Sequence, residues 1–315
     1  MEAADTNNDM DVYVHDIKTK LTKRISITSA GEQRSTTSQD PAISSDGRYV
    51  TFETYGRFED SDMNRDYDIY VRDLHAGTTK RVSIASNGQE ISSMSYNAAI
   101  SGNGRFIAFE TSGSFEDEDK NSDNDIYVHD REIGETTRVS IKSSGEEVNT
   151  YSGNASISND GRYVVFQTSG AFESDDTNID SDIYVHDREF GTTKRISVTS
   201  MEEEIDVNSD NGVISGDGRF VVFDSPGAFE GFDTNGWPDI YIHDIHMGTT
   251  RLVSISPYDQ QTPNGGSHPL ISDDGRHVVF GDLPIFVRSF TDLSSRPLKK
   301  ARHHYIRKSE ASLSA

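Results

Sequence analysis

The chain has 315 residues, contains no cysteine and carries a formal net charge of −23. The missing thiols exclude disulfide bonds, thiolate metal sites and a cysteine nucleophile. The charge is uneven, because residues 296–315 hold six Lys or Arg and one Glu, which leaves −28 on residues 1–295. Such an acidic body repels nucleic-acid phosphate and anionic membranes, so we expect cations or basic groups as partners and no nucleic acid.

The N-terminal segment MEAADTNNDMD lacks the basic and apolar run of a signal peptide. No stretch approaches the roughly 18 apolar residues of a membrane helix. The sequence as written therefore predicts a monomeric chain that is neither exported nor inserted in a membrane. Only 33% of its residues are hydrophobic, so the core must recur in small packets.

A strict repeat of 57 residues runs through the chain. The segment DVYVHD begins at the first of five equivalent aspartates: Asp11, Asp68, Asp125, Asp182 and Asp239. Five glycines have the same spacing: Gly47, Gly104, Gly161, Gly218 and Gly275. A fixed period of this length indicates a repeat architecture.

Four runs rich in β-branched or aromatic residues read as strands within one unit. In the first complete unit they are residues 41–44, 48–54, 68–73 and 80–85. An Asp-Gly turn joins the first two, and a short turn through Gly77 joins the last two. The pattern predicts a four-stranded antiparallel meander and no helix.

A four-stranded sheet of this length cannot bury both faces alone, so its copies must stack. Radial stacking also shortens the exposed sheet edges. The sequence therefore predicts an all-β fold, a β-propeller of four-stranded antiparallel blades over residues 1–295. Residues 296–315 form a basic tail that we predict to be disordered.

The number of blades depends on how the ends of the array meet. The chain starts with the last two strands of a unit (residues 11–27) and ends with the first two strands of another (269–280). Joining these halves gives five blades, which is the count we predict. Residues 284–288 disagree, because they read as a third strand that competes with residues 11–16. The alternatives are an open array and a six-bladed ring with a truncated N-terminus.

The repeated motif resembles the TolB-like, WD-repeat-like propeller repeats of bacterial proteins. It reads ISSDGRYVTF followed by DIYVRDLHAGTTKRVS, and ISNDGRYVVF followed by DIYVHDREFGTTKRIS. The likeness covers residues 5–290. It implies a propeller used for binding or scaffolding, in many cases outside the cytoplasm, although this sequence shows no signal peptide and starts within a blade.

The connection between the second and third strands carries the motif D-x-N-x-D-x-D. Its residues, the predicted metal ligands, are Asp5, Asn7, Asp9 and Asp11; Asp62, Asn64, Asp66 and Asp68; Asp119, Asn121, Asp123 and Asp125; Asp176, Asn178, Asp180 and Asp182; and Asp233, Asn235 and Asp239. Alternating oxygen-bearing side chains are typical of Ca²⁺ loops. Carboxylates this close also repel one another without a cation. We therefore predict weak, partly hydrated Ca²⁺ sites.

An alternative interpretation needs no metal. Asp and Asn form turns by bonding their own backbone, and the aspartate that opens DIYV can cap the strand. The glycine and the distal Glu of the EF-hand loop are also missing. Copy five has Trp237 in place of a carboxylate, so we expect it to bind calcium worst.

The topology of a meander places all these loops at one end. Links from strand two to strand three, and from strand four to the next unit, share that end, while the tight turns lie at the other. The acidic loops and the linkers such as residues 86–97 therefore form the predicted binding face, for a protein or a glycan.

The candidate catalytic residues are themselves repeated. His15, His129, His186 and His243 occupy one repeat position, and Ser44, Ser101, Ser158, Ser215 and Ser272 occupy another. A catalytic centre needs unlike groups that converge once, so we predict structural hydrogen bonds between blades for the histidines, strand-end hydroxyl roles for the serines, and no enzyme activity. The alternative is a carbohydrate-active enzyme with its site in the central funnel. On the binding face, Trp237 is either a ring that stacks on a sugar or a hydrophobic substitute in a decayed metal loop.

Overall fold

The computed structural model describes residues 5–255, 261, 265–281 and 285–290. The tail predicted for residues 296–315 lies outside them. The chain forms two compact units. One contains Met1–Ile179 and Tyr184–Arg195, and the other contains Asp180–Ile183 and Ile196–Ala315.

The described secondary structure is entirely β, as the strand-like repeats predict. The strands are β1 Tyr13–Asp16, β2 Leu21–Arg24, β3 Ser38–Ile43, β4 Tyr49–Thr54, β5 Asp68–Asp73, β6 Thr78–Arg81, β7 Ser95–Ile100, β8 Phe106–Thr111, β9 Asp125–Asp130, β10 Glu135–Arg138, β11 Ser152–Ile157, β12 Tyr163–Thr168, β13 Asp182–Asp187, β14 Thr192–Arg195, β15 Asp210–Ile214, β16 Phe220–Ser225, β17 Asp239–Asp244, β18 Thr249–Leu252, β19 Leu270–Ile271, β20 His277–Phe280 and β21 Phe286–Ser289. Within the described ranges no helix is long and apolar enough to cross a membrane.

The sheets confirm the predicted four-stranded blade. Strands β3 to β6, β7 to β10, β11 to β14 and β15 to β18 each form one sheet in chain order. Strands β1 and β2 form a two-stranded sheet, and β19 to β21 form a three-stranded one. Strand β21 pairs with β20. It therefore occupies the place that the five-blade prediction assigned to residues 11–16. A third strand thus forms at Phe286–Ser289, while Pro284 of the predicted segment lies outside the described residues, and the five-blade count is not confirmed.

Two strand boundaries differ from the prediction for the first complete unit. Strand β3 begins at Ser38 and contains a bulge between Gln39 and Ala42. Strand β6 ends at Arg81, where the sequence predicted a strand over 80–85. Strand β6 pairs with β5 over Thr78–Arg81, and Thr79 within it is also bonded to the preceding repeat.

That link between repeats involves Thr79 and the threonines that occupy its position in the other repeats. The hydroxyl of Thr79 donates to the carbonyl of Ile27, at 2.5 Å, and its backbone N–H donates to the hydroxyl of Ser29, at 2.9 Å. In the next unit, Thr136 makes the same two bonds to Ile84 and Ser86. The repeated Thr therefore ties each fourth strand to the linker before it.

The S-x-D-G-R motif forms the turn between the first two strands. The hydroxyl of Ser44 donates to Asp46, at 2.6 Å, and the backbone N–H of Arg48 donates to the same carboxylate, at 2.9 Å. Gly47 has a φ of 70°, which favours glycine. The Arg48 guanidinium then binds Asp73 through two hydrogen bonds of 3.1 and 2.8 Å. The motif thus pairs the turn with the end of the third strand.

The core of each unit lies between consecutive sheets. In the first unit, Ile69 from one sheet packs in the same cluster as Ile107 and Phe109 from the next. In the second compact unit, Val222 from one sheet packs in the same cluster as Phe280 from the next sheet. Both faces of a sheet are therefore apolar, as stacked blades require.

Candidate binding face

The acidic connections and the linkers between units meet at the same end of a sheet. In the first complete unit, the backbone N–H of Met63 in the connection donates to the carboxylate of Glu90 in the linker, at 2.7 Å. This contact confirms the shared end that the topology predicted. We call this end the loop side; it comprises residues 57–67 and 86–94 and those of their equivalents in the other repeats that lie within the described ranges.

The outer part of each acidic loop is a turn closed by its asparagine. The side-chain oxygen of Asn64 accepts from the backbone N–H of Asp66, at 2.9 Å, and its amide donates to the carbonyl of Ile91, at 3.4 Å. Three other copies have the same turn: Asn7 with Asp9 at 3.2 Å, Asn121 with Asp123 at 2.7 Å, and Asn235 with Trp237 at 2.7 Å. These are the bonds that the metal-free interpretation predicted.

The inner part of the loop contains a buried arginine that the sequence reading missed. One guanidinium nitrogen of Arg81 lies 3.4 Å from Asp62, 3.2 Å from Asp68 and 2.6 Å from Glu90. Asp62 and Asp68 are both almost completely buried. Equivalent contacts are Arg138 to Asp119 (3.3 Å), Asp125 (3.3 Å) and Glu147 (2.8 Å), Arg195 to Asp176 (3.3 Å), and Arg24 to Asp11 (3.4 Å). Three carboxylates thus converge as they would around a cation, and a guanidinium supplies the positive charge.

Hydroxyl groups complete the shell of the two aspartates. Tyr70 donates to Asp62, at 2.7 Å, and Ser83 donates to Asp68, at 2.5 Å. Burial raises the pKa of Asp68 to about 6, although Ser83 and Arg81 act to lower it. The carboxylate is therefore charged at neutral pH, and its charge is balanced within the protein.

Copy five replaces the buried ion pair. Leu252 stands where the earlier units have arginine, and Gln261 stands where copies two to four have glutamate. The amide of Gln261 donates to Asp233 and, at 2.9 Å, to Asp239. One positive and one negative charge are lost together, so the net charge of the cluster stays the same.

The residues of the predicted calcium sites already have partners within the protein. In the first complete unit the motif aspartates Asp62 and Asp68 face Arg81, while Asn64 bonds to the backbone around it. Calcium would therefore compete with an existing cation in the copies that contain arginine. Binding of Ca²⁺ by the nineteen motif residues named above stays a prediction.

The repeated histidines have structural partners. The Nδ1 atom of His129 lies 2.8 Å from the hydroxyl oxygen of Thr136 in the same sheet. Equivalent pairs are His15 with Thr22 at 2.7 Å, His186 with Thr193 at 2.9 Å, and His243 with Thr250 at 2.9 Å. Burial lowers the pKa of His129 to about 4, so the ring is neutral. The hydroxyl of Thr136 also donates to the carbonyl of Ile84 in the preceding linker. The histidine thus bonds to the threonine, and the threonine makes the link to the neighbouring repeat that we predicted for the histidine.

The first strands contain strained residues that the sequence did not reveal. In the first compact unit, β7 contacts both β3 and β11, so the first strands of consecutive sheets lie side by side. One residue in each has a positive φ: 46° at Asp40, 52° at Asn97 and 54° at Asn154. Asn and Asp tolerate this conformation better than other side chains, and each residue lies in a β-bulge. Asn or Asp inside a strand pattern was the available signal.

Buried acids hold these bulges. Glu110 accepts hydrogen bonds from the side chain of Asn97 (3.1 Å), the backbone N–H of Asn154 (2.6 Å) and the hydroxyl of Tyr151 (3.2 Å). The preceding repeat differs, because Asp40 stands opposite Glu53, whereas the next repeat has the amide of Asn97 opposite Glu110. Burial, together with Asp40, raises the pKa of Glu53. This carboxyl pair is a departure from the repeat.

A cleft on the loop side of the first unit has a volume of about 470 Å³. Its lining includes Arg34, Tyr55, Arg57, Glu59 and Asp60. The mixture of guanidinium, carboxylate and aromatic groups fits a polar ligand better than an apolar one.

Comparison with known proteins places the fold. No family model and no curated protein matches the sequence. TolB from Acinetobacter baumannii is similar in structure, with a TM-score of 0.50 and 17% identity, over 89% of this chain and 56% of that one. The chain thus spans little more than half the length of that protein. A putative TolB from Agrobacterium tumefaciens matches with a TM-score of 0.51 and 17% identity, over 94% and 89% of the two chains.

The chain has a TolB-like β-propeller fold. An oligogalacturonate lyase in complex with manganese shares the architecture, with a TM-score of 0.57 and 14% identity, over 89% of this chain and 68% of that one. At these identities the TolB-like fold alone is common to the proteins. Function therefore has to be argued from the residues of this propeller.

Proposed function

We propose that this TolB-like propeller is a binding protein without a catalytic centre, and that its loop side contacts a protein or a glycan. The observation that carries the proposal is the way the loops are anchored. Each acidic loop is held from below by buried contacts, as Asp62 is by Tyr70 and Arg81, while its tip remains exposed. Fixed loops with exposed tips are typical of binding surfaces on a rigid scaffold.

The residues at the loop tips differ between copies although the anchors repeat. Met63 is 70% exposed and Ile179 is 90% exposed, and the equivalents of Met63 are polar. Variation at the exposed positions gives each loop its own surface, while the buried hydrogen bond from tyrosine to aspartate is kept, as from Tyr70 to Asp62 and from Tyr241 to Asp233. This combination supports recognition of a partner over a structural role alone.

The candidate catalytic groups support the same proposal. The repeated serines and histidines bond to neighbours within their own sheets, as Ser44 does to Asp46. A glycoside hydrolase requires two carboxyl groups roughly 5–9.5 Å apart, so that water or a sugar fits between them. In the unlike pair Asp40 and Glu53, the two carboxyl groups instead lie close enough that Asp40, together with burial, raises the pKa of Glu53. The shared fold with a lyase keeps the carbohydrate-active alternative open to experiment.

Site-specific cross-linking tests which end of the propeller binds. Because the chain contains no cysteine, single cysteines can be introduced at Met63 on the loop side and at Ile133 on a turn at the other end. Both side chains are exposed, at 70% and 65%. After labelling with a photo-activated cross-linker, we expect adducts with one partner from Met63→Cys and none from Ile133→Cys. Equal labelling from both positions, or labelling from Ile133→Cys alone, would contradict the proposal.

Calcium is an independent part of the hypothesis. Titration calorimetry and thermal melts with and without millimolar CaCl₂ test it directly. Heat of binding together with a higher melting temperature would support calcium as a ligand. No heat and no shift would remove calcium and leave the proposed binding function intact.

A further inference from the structure

Copy five departs from the repeat on the loop side. Phe232 and Trp237 flank its turn, and their side chains are 71% and 59% exposed. The other complete copies have only polar residues in these places: Ser61, Glu118 and Asp175 at the first, and Asp66, Asp123 and Asp180 at the second. Two polar positions have therefore become aromatic in one loop without becoming buried.

The loop that carries these rings is anchored at several points. Tyr241 donates to Asp233, and the backbone N–H of Thr234 donates to the side chain of Gln261, at 3.1 Å. The backbone N–H of Trp237 closes the Asx turn of Asn235, at 2.7 Å. The aromatic side chains thus stand on a fixed loop, so binding a ligand does not require the backbone to become ordered.

We infer that Phe232 and Trp237 form a binding site for a neutral glycan, a conclusion that rests on the proposed binding function. A pyranose ring presents a face of C–H groups that covers one aromatic ring, and its hydroxyls point outward. Exposed aromatic rings on a loop that also contains Asp233, Thr234 and Asn235 match that pattern of polarity. The loop also supplies Thr234, whose side chain is a suitable partner for a sugar hydroxyl.

The size and charge of the surface favour this ligand over others. A stable protein interface buries about 800 Å² on each partner around an apolar centre, which two rings among polar residues do not supply. The charge of −28 on residues 1–295 repels carboxylated sugars. A neutral oligosaccharide needs neither a large apolar patch nor a positive field.

The fluorescence of Trp237 provides a direct assay, because it is the single tryptophan of the chain. The full-length protein is titrated with cellohexaose, chitohexaose and mannohexaose, and with hexagalacturonate as the acidic probe. We expect a saturable change in emission with at least one neutral hexasaccharide and none with hexagalacturonate. No change with any of the three neutral probes, or a response only to hexagalacturonate, would overturn the inference.

Matched variants separate stacking from general effects. Phe232→Ser restores the residue of copy two and should weaken binding of the responding probe about tenfold or more. Phe190→Ser removes an aromatic side chain of similar exposure, 69%, from a turn at the other end of its sheet, and should leave binding unchanged. Trp237→Asp, followed by titration calorimetry, should abolish the heat. Equal weakening by Phe232→Ser and Phe190→Ser would contradict the site.

Failure of this inference and failure of the proposed function give different results. If the loop side binds a protein, Met63→Cys still yields its adduct while all three neutral probes leave Trp237 emission unchanged, and the glycan assignment is overturned alone. If neither Met63→Cys forms an adduct nor any probe binds, both are wrong. Each variant should melt within about 2 °C of the parent chain, because an exposed side chain makes few of the buried contacts that determine stability.

Discussion

Removing the buried arginine of one unit should destabilise the protein strongly. In Arg138→Leu, the carboxylates of Asp119, Asp125 and Glu147 lose a guanidinium nitrogen that lies 2.8–3.3 Å from each of them. Leaving a buried charge without its partner costs about 3–5 kcal/mol. Arg138 is almost completely buried, so solvent cannot screen the loss.

The chain itself supplies the compensating change. In copy five, leucine replaces this arginine and Gln261 replaces the glutamate, so the double variant Arg138→Leu/Glu147→Gln reproduces a natural arrangement. It removes one charge of each sign, and a glutamine amide can donate to both remaining aspartates, as Gln261 does. We therefore expect the double variant to recover to within about 1 kcal/mol of the parent.

Urea unfolding followed by far-ultraviolet circular dichroism measures both variants, since the slope of the transition reveals any loss of cooperativity. A parallel thermal melt should show Arg138→Leu about 6 °C or more below the parent. The reasoning is refuted if Arg138→Leu loses less than about 1 kcal/mol, or if the double variant is as unstable as the single one.

Three further predictions concern buried hydrogen bonds and titration. Tyr127→Phe removes the hydroxyl that donates to the buried Asp119 at 2.6 Å, so the free energy of unfolding in urea should fall by about 1–3 kcal/mol; an unchanged value would contradict the anchoring role. Burial lowers the pKa of His129 to about 4, so as the pH falls from 6.5 towards 4 the unfolded chain binds a proton before the folded chain does, and stability is lost. The melting temperature of His129→Gln should therefore depend less on pH between 7 and 4.5 than that of the parent, and parallel curves for the two proteins would exclude His129 as the origin of the loss. Burial and Asp40 raise the pKa of Glu53, so stability is lost as the pH rises above 4.5 through the folded-state pKa. Asp40→Asn should stabilise the protein by about 1 kcal/mol at pH 7 and by less at pH 4, and equal stabilisation at both pH values would argue against repulsion between the two carboxylates.

The sequence by itself determined the repeat and the blade. Strand-forming runs, the Asp-Gly turns and the glycine after the third strand are local signals, and a period of 57 residues repeats them often enough to identify the four-stranded blade. The meander also fixed which connections share an end. The contact of Met63 with Glu90 confirms that inference, because neighbouring antiparallel strands leave no other place for the connections.

Only the tertiary structure decided what the acidic loops contact. Asp62 and Asp68 read as metal ligands because they are close in sequence, whereas Arg81 and Glu90 lie further along the chain and reach them only after the sheet has folded. Sequence spacing does not show which charges are buried together, so the guanidinium at the centre of the cluster was missed.

The positive φ values in the first strands and the strand pairing of the last sheet were likewise decided by tertiary contacts. The positive φ of Asn97 is tolerated because Glu53 and Glu110, from two consecutive units, bind its backbone and side chain. Strand β21 lies beside β20 because pairing depends on which segment reaches the free edge, and the repeat alone offered two candidates for it. Local periodicity specifies the units, and long-range contacts specify how each unit departs from the others.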